Sequence, residues 1–272
     1  MQDEEGMKTI LITGCSSGIG LATVKYFAER GWNVAATMRS PEKDTQLRNI
    51  PHVKLYRLDV TDQKSIQDAL EQTIKDFGSL DVIVNNAGYG AVGPFEGASQ
   101  EQIKREFDTN LFAVMNITRA ILPYFRKKQS GTIINISSIG GRMTFPLYSL
   151  YHGSKWGLEG FSESLQYELR PFNIKIKLVE PGPVKTDFYT HSMDIFKKEE
   201  YEAYAAPIIE RFNQSGITTA PEPESVAKTI FKAATDPSFK LRYISGGQAH
   251  AILFLRWLLP YSLFSWIFKK VI

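Results

Sequence analysis

The stretch YSLYHGSK, residues 148–155, contains two tyrosines and a lysine at a spacing that could support acid–base chemistry. Tyr151 and Lys155 are four positions apart, which places both side chains on one face of a helix. A free phenol, with a pKa near about 10, is a poor base at neutral pH, but a neighbouring ammonium lowers that pKa. Tyr148 has His152 four positions later and lacks such a partner. Taken alone, the stretch could equally hold two packing aromatic residues and a solvated charge.

A glycine-rich segment, TGCSSGIG (13–20), follows an apolar run and precedes a helical pattern. Gly14, Gly18 and Gly20 permit a tight turn and a close approach of the backbone to a ligand. The following helix N-terminus favours an anion such as the pyrophosphate of a dinucleotide. The spacing differs from the common GxGxxG fingerprint, and a strand-to-helix turn without a ligand is the alternative.

The end of the next apolar run, ATMRS (36–40), bears on which dinucleotide would bind. A carboxylate at this place in dinucleotide-binding folds accepts hydrogen bonds from the ribose hydroxyls of NAD. This chain has no carboxylate there and carries Arg39, whose guanidinium can pair with a phosphate. The segment therefore favours NADP(H) over NAD(H), unless Arg39 is simply a solvated loop residue.

The order of apolar and amphipathic segments predicts the scaffold that would position these groups. Continuous apolar runs suit a parallel sheet buried on both faces, and their alternation with helices predicts a doubly wound, Rossmann-type α/β fold. We expect a mostly parallel, seven-stranded sheet with helices on both faces. The predicted strands are 8–13, 33–38, 53–58, 80–86, 131–137, 174–179 and 241–245. The predicted helices are 18–30, 62–76, 100–127, 151–169 and 223–235.

Composition argues against several classes of function. The net charge of +3 is small and the basic residues are scattered, so we expect no nucleic-acid partner. The four histidines have no metal-ligand spacing, and no metal site is predicted. A single cysteine excludes an internal disulfide, and the acidic N-terminus lacks the apolar region of a signal peptide. A cytoplasmic protein is expected, with peripheral membrane association left open.

Several motifs occur together in an order that resembles the single-domain short-chain dehydrogenase/reductase family. TGCSSGIG resembles the cofactor loop of the family, LDVTD (58–62) its third-strand segment, and NNAG (85–88) the motif after its fourth strand. PGPVKTD (181–187) looks like the segment that closes over the nicotinamide. The residues that match the family's catalytic tetrad in order and approximate spacing are Asn110, Ser138, Tyr151 and Lys155.

The resemblance implies a role for each residue of the tetrad. Tyr151 would be the general acid and base, and Lys155 would tune it and bind the nicotinamide ribose. Ser138 would hydrogen-bond the substrate carbonyl, and Asn110 would anchor a water that connects Lys155 to solvent. Read without the resemblance, Ser138 could be a strand-end cap, Asn110 a helix-kink residue, and Tyr151 and Lys155 a surface pair.

The resemblance also implies a set of cofactor contacts. Asp59 would contact the adenine and Thr186 the nicotinamide carboxamide. Many NADP-preferring relatives carry a second basic residue where this chain has Ser17, so the NADP(H) preference rests on Arg39 and use of NAD(H) stays open. The expected cofactor-binding residues are Gly14, Ser16, Ser17, Gly18, Ile19, Gly20, Arg39, Asp59, Val60, Asn86, Ala87, Gly88, Tyr151, Lys155, Pro181, Gly182, Val184 and Thr186.

The substrate side is less specific. Residues 188–220 lie where the family has a variable substrate flap, whose aromatic residues could line a lipophilic pocket or form the packing face of a helix. Phe145, Pro146 and Leu147 are expected in the pocket wall, and Tyr148 there or in the packing. The members of the flap in question are Phe188, Tyr189, Met193, Ile195, Phe196, Tyr201 and Tyr204.

The chain is divided into a dehydrogenase domain (1–250) and an apolar C-terminal extension (251–272). Arg256 and Pro260 interrupt the centre of the extension and disfavour a membrane span. The extension could instead pack over the pocket or against a subunit partner, or it could attach peripherally to a membrane.

We expect an NADP(H)-dependent oxidoreductase acting on a lipophilic secondary alcohol or ketone, such as a steroid, retinoid or long-chain carbonyl. The hydroxysteroid and retinol dehydrogenase-like subgroups are nearest by analogy. A catalytically inactive, NADP(H)-sensing protein of the same fold is the alternative, and a sugar-nucleotide epimerase or dehydratase is a third. By resemblance, the chain would form a homodimer or homotetramer.

Overall fold

The apolar runs form one parallel sheet in the computed structural model, which describes residues 6–186, 193–218 and 220–271, with side chains for 6–186, 193–210 and 220–266. The strands are β1 (Thr9–Thr13), β2 (Asn33–Met38), β3 (Val53–Arg57), β4 (Val82–Asn85), β5 (Gly90–Val92), β6 (Gly131–Ile136), β7 (Ile174–Pro181), β8 (Met193–Ile195) and β9 (Arg242–Ser245). The main sheet has the order β3-β2-β1-β4-β6-β7-β9, so all seven predicted strands are confirmed. The order reverses between β1 and β4, where ligands bind in open α/β sheets.

Helices cover both faces of this sheet. They are α1 (Gly18–Ala28), α2 (Gln63–Phe77), α3 (Gln100–Phe107), α4 (Ala113–Lys128), α5 (Ser149–Leu169), α6 (Glu202–Thr218), α7 (Glu224–Thr235), α8 (Gly247–Leu258) and α9 (Tyr261–Val271). α1 and α7 pack on one face, where Phe27 and Ile230 are fully buried. α2, α4 and α5 pack on the other face, around Phe125. The doubly wound α/β fold is thereby confirmed.

The prediction of one continuous helix over 100–127 is wrong, because the structure interrupts this helix. A π-helical turn, Asp108–Phe112, separates α3 from α4. Asn110 lies in this turn, and its carboxamide bonds to the backbone of Tyr89 on a neighbouring loop. Hydrophobic periodicity continues through such a turn, which is why the pattern could not reveal it.

Two three-residue strands, β5 and β8, form a second small parallel sheet that the sequence did not predict. Runs this short carry no usable periodicity. The sheet connects the loop after β4 to the expected substrate flap, whose described part consists of β8 and α6. Phe188 and Tyr189 lie outside the described residues.

The C-terminal extension forms α8 and α9, which are interrupted at Pro260 because proline lacks a backbone donor for a continuous helix. Among the described residues, none of the helices combines the length and the apolar character needed to cross a bilayer. Ala249, Leu253 and Phe264 are buried against Ile139 and Met143. One side of the helix pair therefore packs on the turn that follows β6.

Candidate active site

The motifs found in the sequence meet at one edge of the sheet, where parallel strands end. The glycine loop follows β1, Asn86–Gly88 follows β4, Ser138 follows β6, and 182–186 follows β7. Because β1, β4, β6 and β7 are consecutive neighbours, these loops form one continuous rim. The rim lies at the reversal of strand order, where a doubly wound sheet leaves a crevice.

The glycine loop has a conformation that side chains would prevent. Gly14 and Gly18 have φ values of 72° and 55°, in the left-handed region that favours glycine. A Cβ on Gly14 would lie 2.9 Å from the Cα of Ala87, and one on Gly20 would lie 2.1 Å from the carbonyl oxygen of Gly14. The loop is therefore closely packed, and α1 begins at Gly18, so the free amide groups of its first turn adjoin the loop.

Hydrogen bonds join the glycine loop to the loop after β4. The Asn86 carboxamide donates to the carbonyl oxygen of Thr13 at 2.8 Å. The Thr13 hydroxyl accepts from the backbone nitrogens of Asn86 and Ala87 at 3.0 and 2.9 Å. Thr186 approaches from the other side, its side chain 3.4 Å from the Cβ position of Gly18. Three predicted cofactor segments therefore form one contiguous wall.

Arg39 and Asp59 lie at the neighbouring ends of β2 and β3. Asp59 accepts hydrogen bonds from the backbone nitrogen and the hydroxyl of Thr61, at 2.9 and 2.7 Å. The bond from the Thr61 nitrogen is the main cause that lowers the pKa of Asp59, and the charges of Arg39 and Arg57 add to it. Arg39 is exposed, so its guanidinium is accessible at the crevice edge.

Tyr151 and Lys155 lie in the first turns of α5. The Lys155 nitrogen is 5.8 Å from the centre of the Tyr151 ring and donates to the carbonyl oxygen of Ile136 at 2.9 Å. Lys155 is buried, and burial lowers its pKa to about 8, while the charges of Glu106 and Glu159 oppose that decrease. A lysine with this pKa remains mostly protonated at neutral pH.

Ser138 caps a short 3-10 helix, Ile139–Gly141. Its hydroxyl oxygen accepts from the backbone nitrogen of Gly140 at 3.0 Å. Accepting this bond leaves the hydroxyl hydrogen as a donor. A Cβ on Gly140 would lie 3.2 Å from Cε1 of Tyr151, so the turn packs closely against the tyrosine. Ser138 is thus both a strand-end cap and a neighbour of Tyr151 in α5.

Asn110 is 1% exposed, and its carboxamide is held by protein groups. Its nitrogen donates to the Tyr89 carbonyl at 2.8 Å and to Glu106 at 2.6 Å, and lies 3.3 Å from the Ser154 hydroxyl. Its oxygen accepts from the Tyr89 nitrogen at 3.1 Å. The predicted water anchor at Asn110 remains a prediction, since its side chain is directed to Tyr89, Glu106 and Ser154.

Glu106 and Ser154 were missed by the sequence analysis. Glu106 is completely buried, accepts from Ser154 at 2.9 Å, and lies four positions before Asn110. A single glutamate in an amphipathic helix is usually solvated. The i, i+4 spacing to the polar Asn110 is the one signal that could have identified it.

Tyr148 differs from Tyr151 in its environment. It is 7% exposed and stacks on His152 with ring centres 5.8 Å apart. His152 accepts from the backbone nitrogen of Phe145 at 3.4 Å, and burial lowers its pKa to about 4. The histidine is therefore neutral at physiological pH, and Tyr148 has no adjacent cation at the i+4 position.

Comparison with known proteins agrees with this geometry. A profile described as short chain dehydrogenase matches residues 8–212. The chain belongs to the short-chain dehydrogenase family. The uncharacterized oxidoreductase YusZ of Bacillus subtilis is 38% identical over 276 residues, which cover 97% of this short-chain dehydrogenase and 98% of YusZ.

Two further relatives extend the comparison. A 3-ketodihydrosphingosine reductase of Bacteroides thetaiotaomicron is 45% identical over 179 residues, 66% of this chain and 65% of that protein. A short-chain dehydrogenase of Streptomyces avermitilis has a crystal structure with a TM-score of 0.82 and 32% identity, covering 93% of each chain. Solved structures that match this short-chain dehydrogenase hold NADP in some cases and NAD in others.

The residues of this short-chain dehydrogenase fit a nicotinamide dinucleotide. The absence of side chains at Gly14 and Gly20 lets the loop pack directly against Ala87 and against its own backbone. The loop leads into the N-terminus of α1, whose free amide groups favour an anion such as a pyrophosphate. Thr186 covers the same end of α1. The predicted cofactor residues are mostly brought together here, with Arg39, Asp59 and Val60 at the adjacent strand ends.

The segment predicted as a substrate flap divides its described residues between packing and a cavity. Phe196 is buried against Ala91 and Leu150, so it packs the flap onto the body. Ile195 contributes to a cavity of about 530 Å³ beside α6, whose described lining comes from Pro94 and residues 195–210. That lining does not include the predicted catalytic residues, so this cavity is distinct from the crevice at Tyr151.

Proposed function

We propose that this short-chain dehydrogenase transfers a hydride between NADP(H) and a lipophilic secondary alcohol or ketone, with Tyr151 as the general acid and base. The observation that carries the proposal is the buried ammonium of Lys155, 5.8 Å from the centre of the Tyr151 ring. A cation at that place stabilises phenolate and brings the tyrosine toward its working range. The bound nicotinamide supplies or accepts the hydride.

Each residue of the site has a task in ketone reduction. Tyr151 donates its phenolic proton to the oxygen that becomes the alcohol, and Ser138 donates a hydrogen bond to the same oxygen. Lys155 holds the positive charge that compensates the phenolate left on Tyr151. Asn110 fixes the loop after β4 through the backbone of Tyr89.

The preference for NADP(H) is supported by Arg39. The exposed guanidinium stands where a carboxylate would select NAD, and it can pair with a 2′-phosphate. Solved structures of relatives with bound NADP, at 26% and 27% identity, are consistent with this assignment.

A lipophilic ketone is supported by the aromatic surroundings and by one relative. Phe145 lies 6.2 Å from Tyr148, between ring centres, directly before the catalytic helix. The relative named 3-ketodihydrosphingosine reductase has a name that implies a long-chain ketone. We therefore favour a long-chain carbonyl among the lipophilic substrates. The expected assembly is a homodimer or a homotetramer.

Oxidation of NADPH against a panel of ketones and aldehydes graded by chain length and ring number tests this function. We expect the highest kcat/KM with long-chain ketones and a higher value with NADPH than with NADH. If NADPH binds but no member of the panel supports turnover, the catalytically inactive sensing protein becomes the better assignment.

We also propose that the C-terminal extension, 251–272, contacts a membrane surface peripherally. The buried side of α8 and α9 packs on the body through Leu253 and Phe264. The opposite side exposes a set of large apolar residues: Phe254, Leu255, Trp257, Leu258, Tyr261, Leu263 and Trp266. Residues 251–272 contain three basic residues and no acidic residue, which suits an anionic lipid surface.

A further inference from the structure

Glu106 is a fully buried carboxylate to which the proposed reaction assigns no task. Its oxygen Oε1 accepts from Asn110 at 2.6 Å and from the Ser154 hydroxyl at 2.9 Å. Its oxygen Oε2 accepts from the backbone nitrogen of Ala91, in β5, at 3.0 Å. The Asn110 and Ala91 nitrogens can only donate, as an ionised carboxylate requires, and the single Ser154 hydrogen is shared between Glu106 and the carbonyl oxygen of Tyr151 at 2.8 Å. A buried carboxylate is tolerated where donors and a countercharge offset its desolvation.

Lys155 is the cation whose charge acts on Glu106. Ser154, which donates to Glu106, directly precedes Lys155 in α5. Burial raises the pKa of Glu106 to about 7, and the charge of Lys155 opposes that increase. Reciprocally, the charge of Glu106 supports the protonated form of the buried Lys155. The two groups therefore form a coupled pair across α3 and α5.

A second carboxylate, Glu159, also acts on Lys155. Unlike Glu106, it pairs with an arginine. Glu159 is one turn further along α5, and its oxygen lies 3.0 Å from Nε of Arg242. Glu180, at the end of β7, lies 3.2 Å from the same Nε. Arg142 also lies 3.3 Å from Glu180, so two arginines balance this acidic cluster. Glu106 instead has Lys155 as its cationic neighbour.

The charged residues close to Glu106 in sequence contact other side chains. Arg105 lies with its guanidinium 4.5 Å from the centre of the Tyr89 ring. Asp108 pairs with Lys104 on the outer face of α3. These charges lie on the solvent-facing side of α3, whereas Glu106 lies on its buried side and contacts Ser154 of α5.

We propose that Glu106 is a positioning residue for the catalytic pair: through the hydrogen bond of Ser154, which directly precedes Lys155 in α5, its carboxylate holds Lys155 in place and in its ammonium form. Glu106 acts on the reaction through Lys155 and Tyr151. The kinetic part of this inference rests on the proposed function, whereas the charge state of Lys155 can be measured without any substrate.

The charges decide the direction in which loss of the Glu106 carboxylate shifts the pKa of Lys155. An anion beside an ammonium favours the protonated form, so removing the anion makes Lys155 lose its proton at a lower pH. Below about pH 7 Glu106 itself takes up a proton, and the wild type approaches the uncharged variant. The difference between the two proteins therefore develops above pH 7, where Glu106 is ionised.

The test is a 13C NMR titration of the Lys155 Cε, assigned by its absence in Lys155→Met. Glu106→Gln preserves the size of the side chain and removes its charge. We expect the midpoint of Lys155, near pH 8 in the wild type, to fall by about one unit in Glu106→Gln. Glu101→Gln removes an exposed carboxylate from the same helix and should leave the midpoint unchanged.

Glu106→Asp keeps the charge and shortens the side chain, so its Lys155 midpoint should stay closer to the wild type than to Glu106→Gln. Glu106→Asp also tests the inference if Glu106→Gln does not fold. A fall of about one unit in the Lys155 midpoint of Glu106→Asp would overturn the inference, because this variant keeps the negative charge. A lower melting temperature with an unchanged Lys155 midpoint in Glu106→Gln would likewise reduce Glu106 to a structural residue.

The kinetic counterpart is the alkaline limb of ketone reduction, which should move to lower pH in Glu106→Gln by a similar amount. Reduction needs the protonated tyrosine and the ammonium together, and removing a neighbouring anion makes the first deprotonation of this pair easier. A shifted Lys155 midpoint supports the inference even where the carbonyl panel yields no turnover, so the two proposals can fail separately.

Discussion

The ammonium nitrogen of Lys155 donates a 2.9 Å hydrogen bond to the carbonyl oxygen of Ile136, the last residue of β6. The same nitrogen lies 5.8 Å from the centre of the Tyr151 ring. Ser138 follows Ile136 by two positions, so the strand end that holds the lysine also carries the serine. This contact joins α5 to the end of β6 and so fixes Lys155 and Tyr151 relative to the strand end that carries Ser138.

Tyr151→Phe should lower kcat for ketone reduction by about 100- to 10,000-fold, the contribution typical of general acid–base catalysis. NADPH binding should persist, because the aromatic ring and its contacts remain. Tyr148→Phe is the matched control, since Tyr148 is 7% exposed and stacks on the neutral His152. Steady-state kinetics and NADPH fluorescence titration measure both effects, and near-wild-type turnover in Tyr151→Phe would exclude the assignment.

Arg39→Asp should weaken NADPH binding by about 10- to 100-fold, the range expected when a charged hydrogen bond is lost. NADH binding should change little or improve, because a carboxylate at this position accepts bonds from the ribose hydroxyls. Arg119→Asp makes the same charge change at an exposed position of α4. Fluorescence titration with both cofactors gives the ratio of Kd values, and a ratio equal to that of the wild type would refute the role of Arg39.

Gly20→Ala should abolish tight NADPH binding, with a loss of affinity of about 100-fold from a displacement of about 1 Å in the loop. The added Cβ would lie 2.1 Å from the carbonyl oxygen of Gly14 and 2.7 Å from the Asn86 carboxamide. Gly160→Ala, on the exposed side of α5 with no atom within 4 Å, is the control. It should leave binding intact and raise stability by up to about 1 kcal/mol. Unchanged NADPH affinity in Gly20→Ala would contradict this packing.

Much of the fold could be predicted from sequence because its signals are local. Continuous apolar runs identified all seven main strands, and the glycines of 13–20 marked the loop between β1 and α1. Because parallel strands end at the same edge of a sheet, the motifs that follow them meet there. The juxtaposition of Gly14 with Ala87 follows from this topology.

The parts that sequence missed depend on contacts between distant segments. Glu106 reads as an ordinary helix-surface charge, and its burial arises from the approach of Ser154 and Ala91. The π-helical turn at Asp108–Phe112 arises where Asn110 bonds to Tyr89 across 21 positions. The division of the extension at Pro260 was partly foreseeable, since proline interrupts a helix, but its packing on Ile139 was not.

His152 should make the protein less stable in acid. Burial lowers its pKa from 6.5 to about 4, so the unfolded chain binds the proton more readily than the folded one. The contribution of His152 to stability therefore falls as the pH decreases from 6.5 to 4, by up to about 3 kcal/mol, while the raised pKa values of Glu106 and Glu180 act in the opposite direction. Urea unfolding across that window should show the free energy of unfolding of the wild type declining relative to that of His152→Phe as the pH falls. His250→Phe, at an exposed position, should keep the wild-type slope, and equal slopes in wild type and His152→Phe would contradict the argument.

Trp257→Glu should reduce the association of the protein with anionic vesicles of phosphatidylserine and phosphatidylcholine. Trp257 is 76% exposed at the end of α8, so its loss removes apolar contact with the lipid and adds a repelled charge. We expect the partition coefficient to fall by at least about tenfold, given the cost of about 1.5–3 kcal/mol for losing a buried large side chain. Trp156→Glu, at a tryptophan that is 47% exposed on α5, is the matched control.

These point variants are preferable to deletion of 251–272, which would uncover Ile139 and Met143 beside Ser138. Co-sedimentation at two salt concentrations measures the partition, and equal binding by the wild type and Trp257→Glu would exclude this surface as the lipid contact.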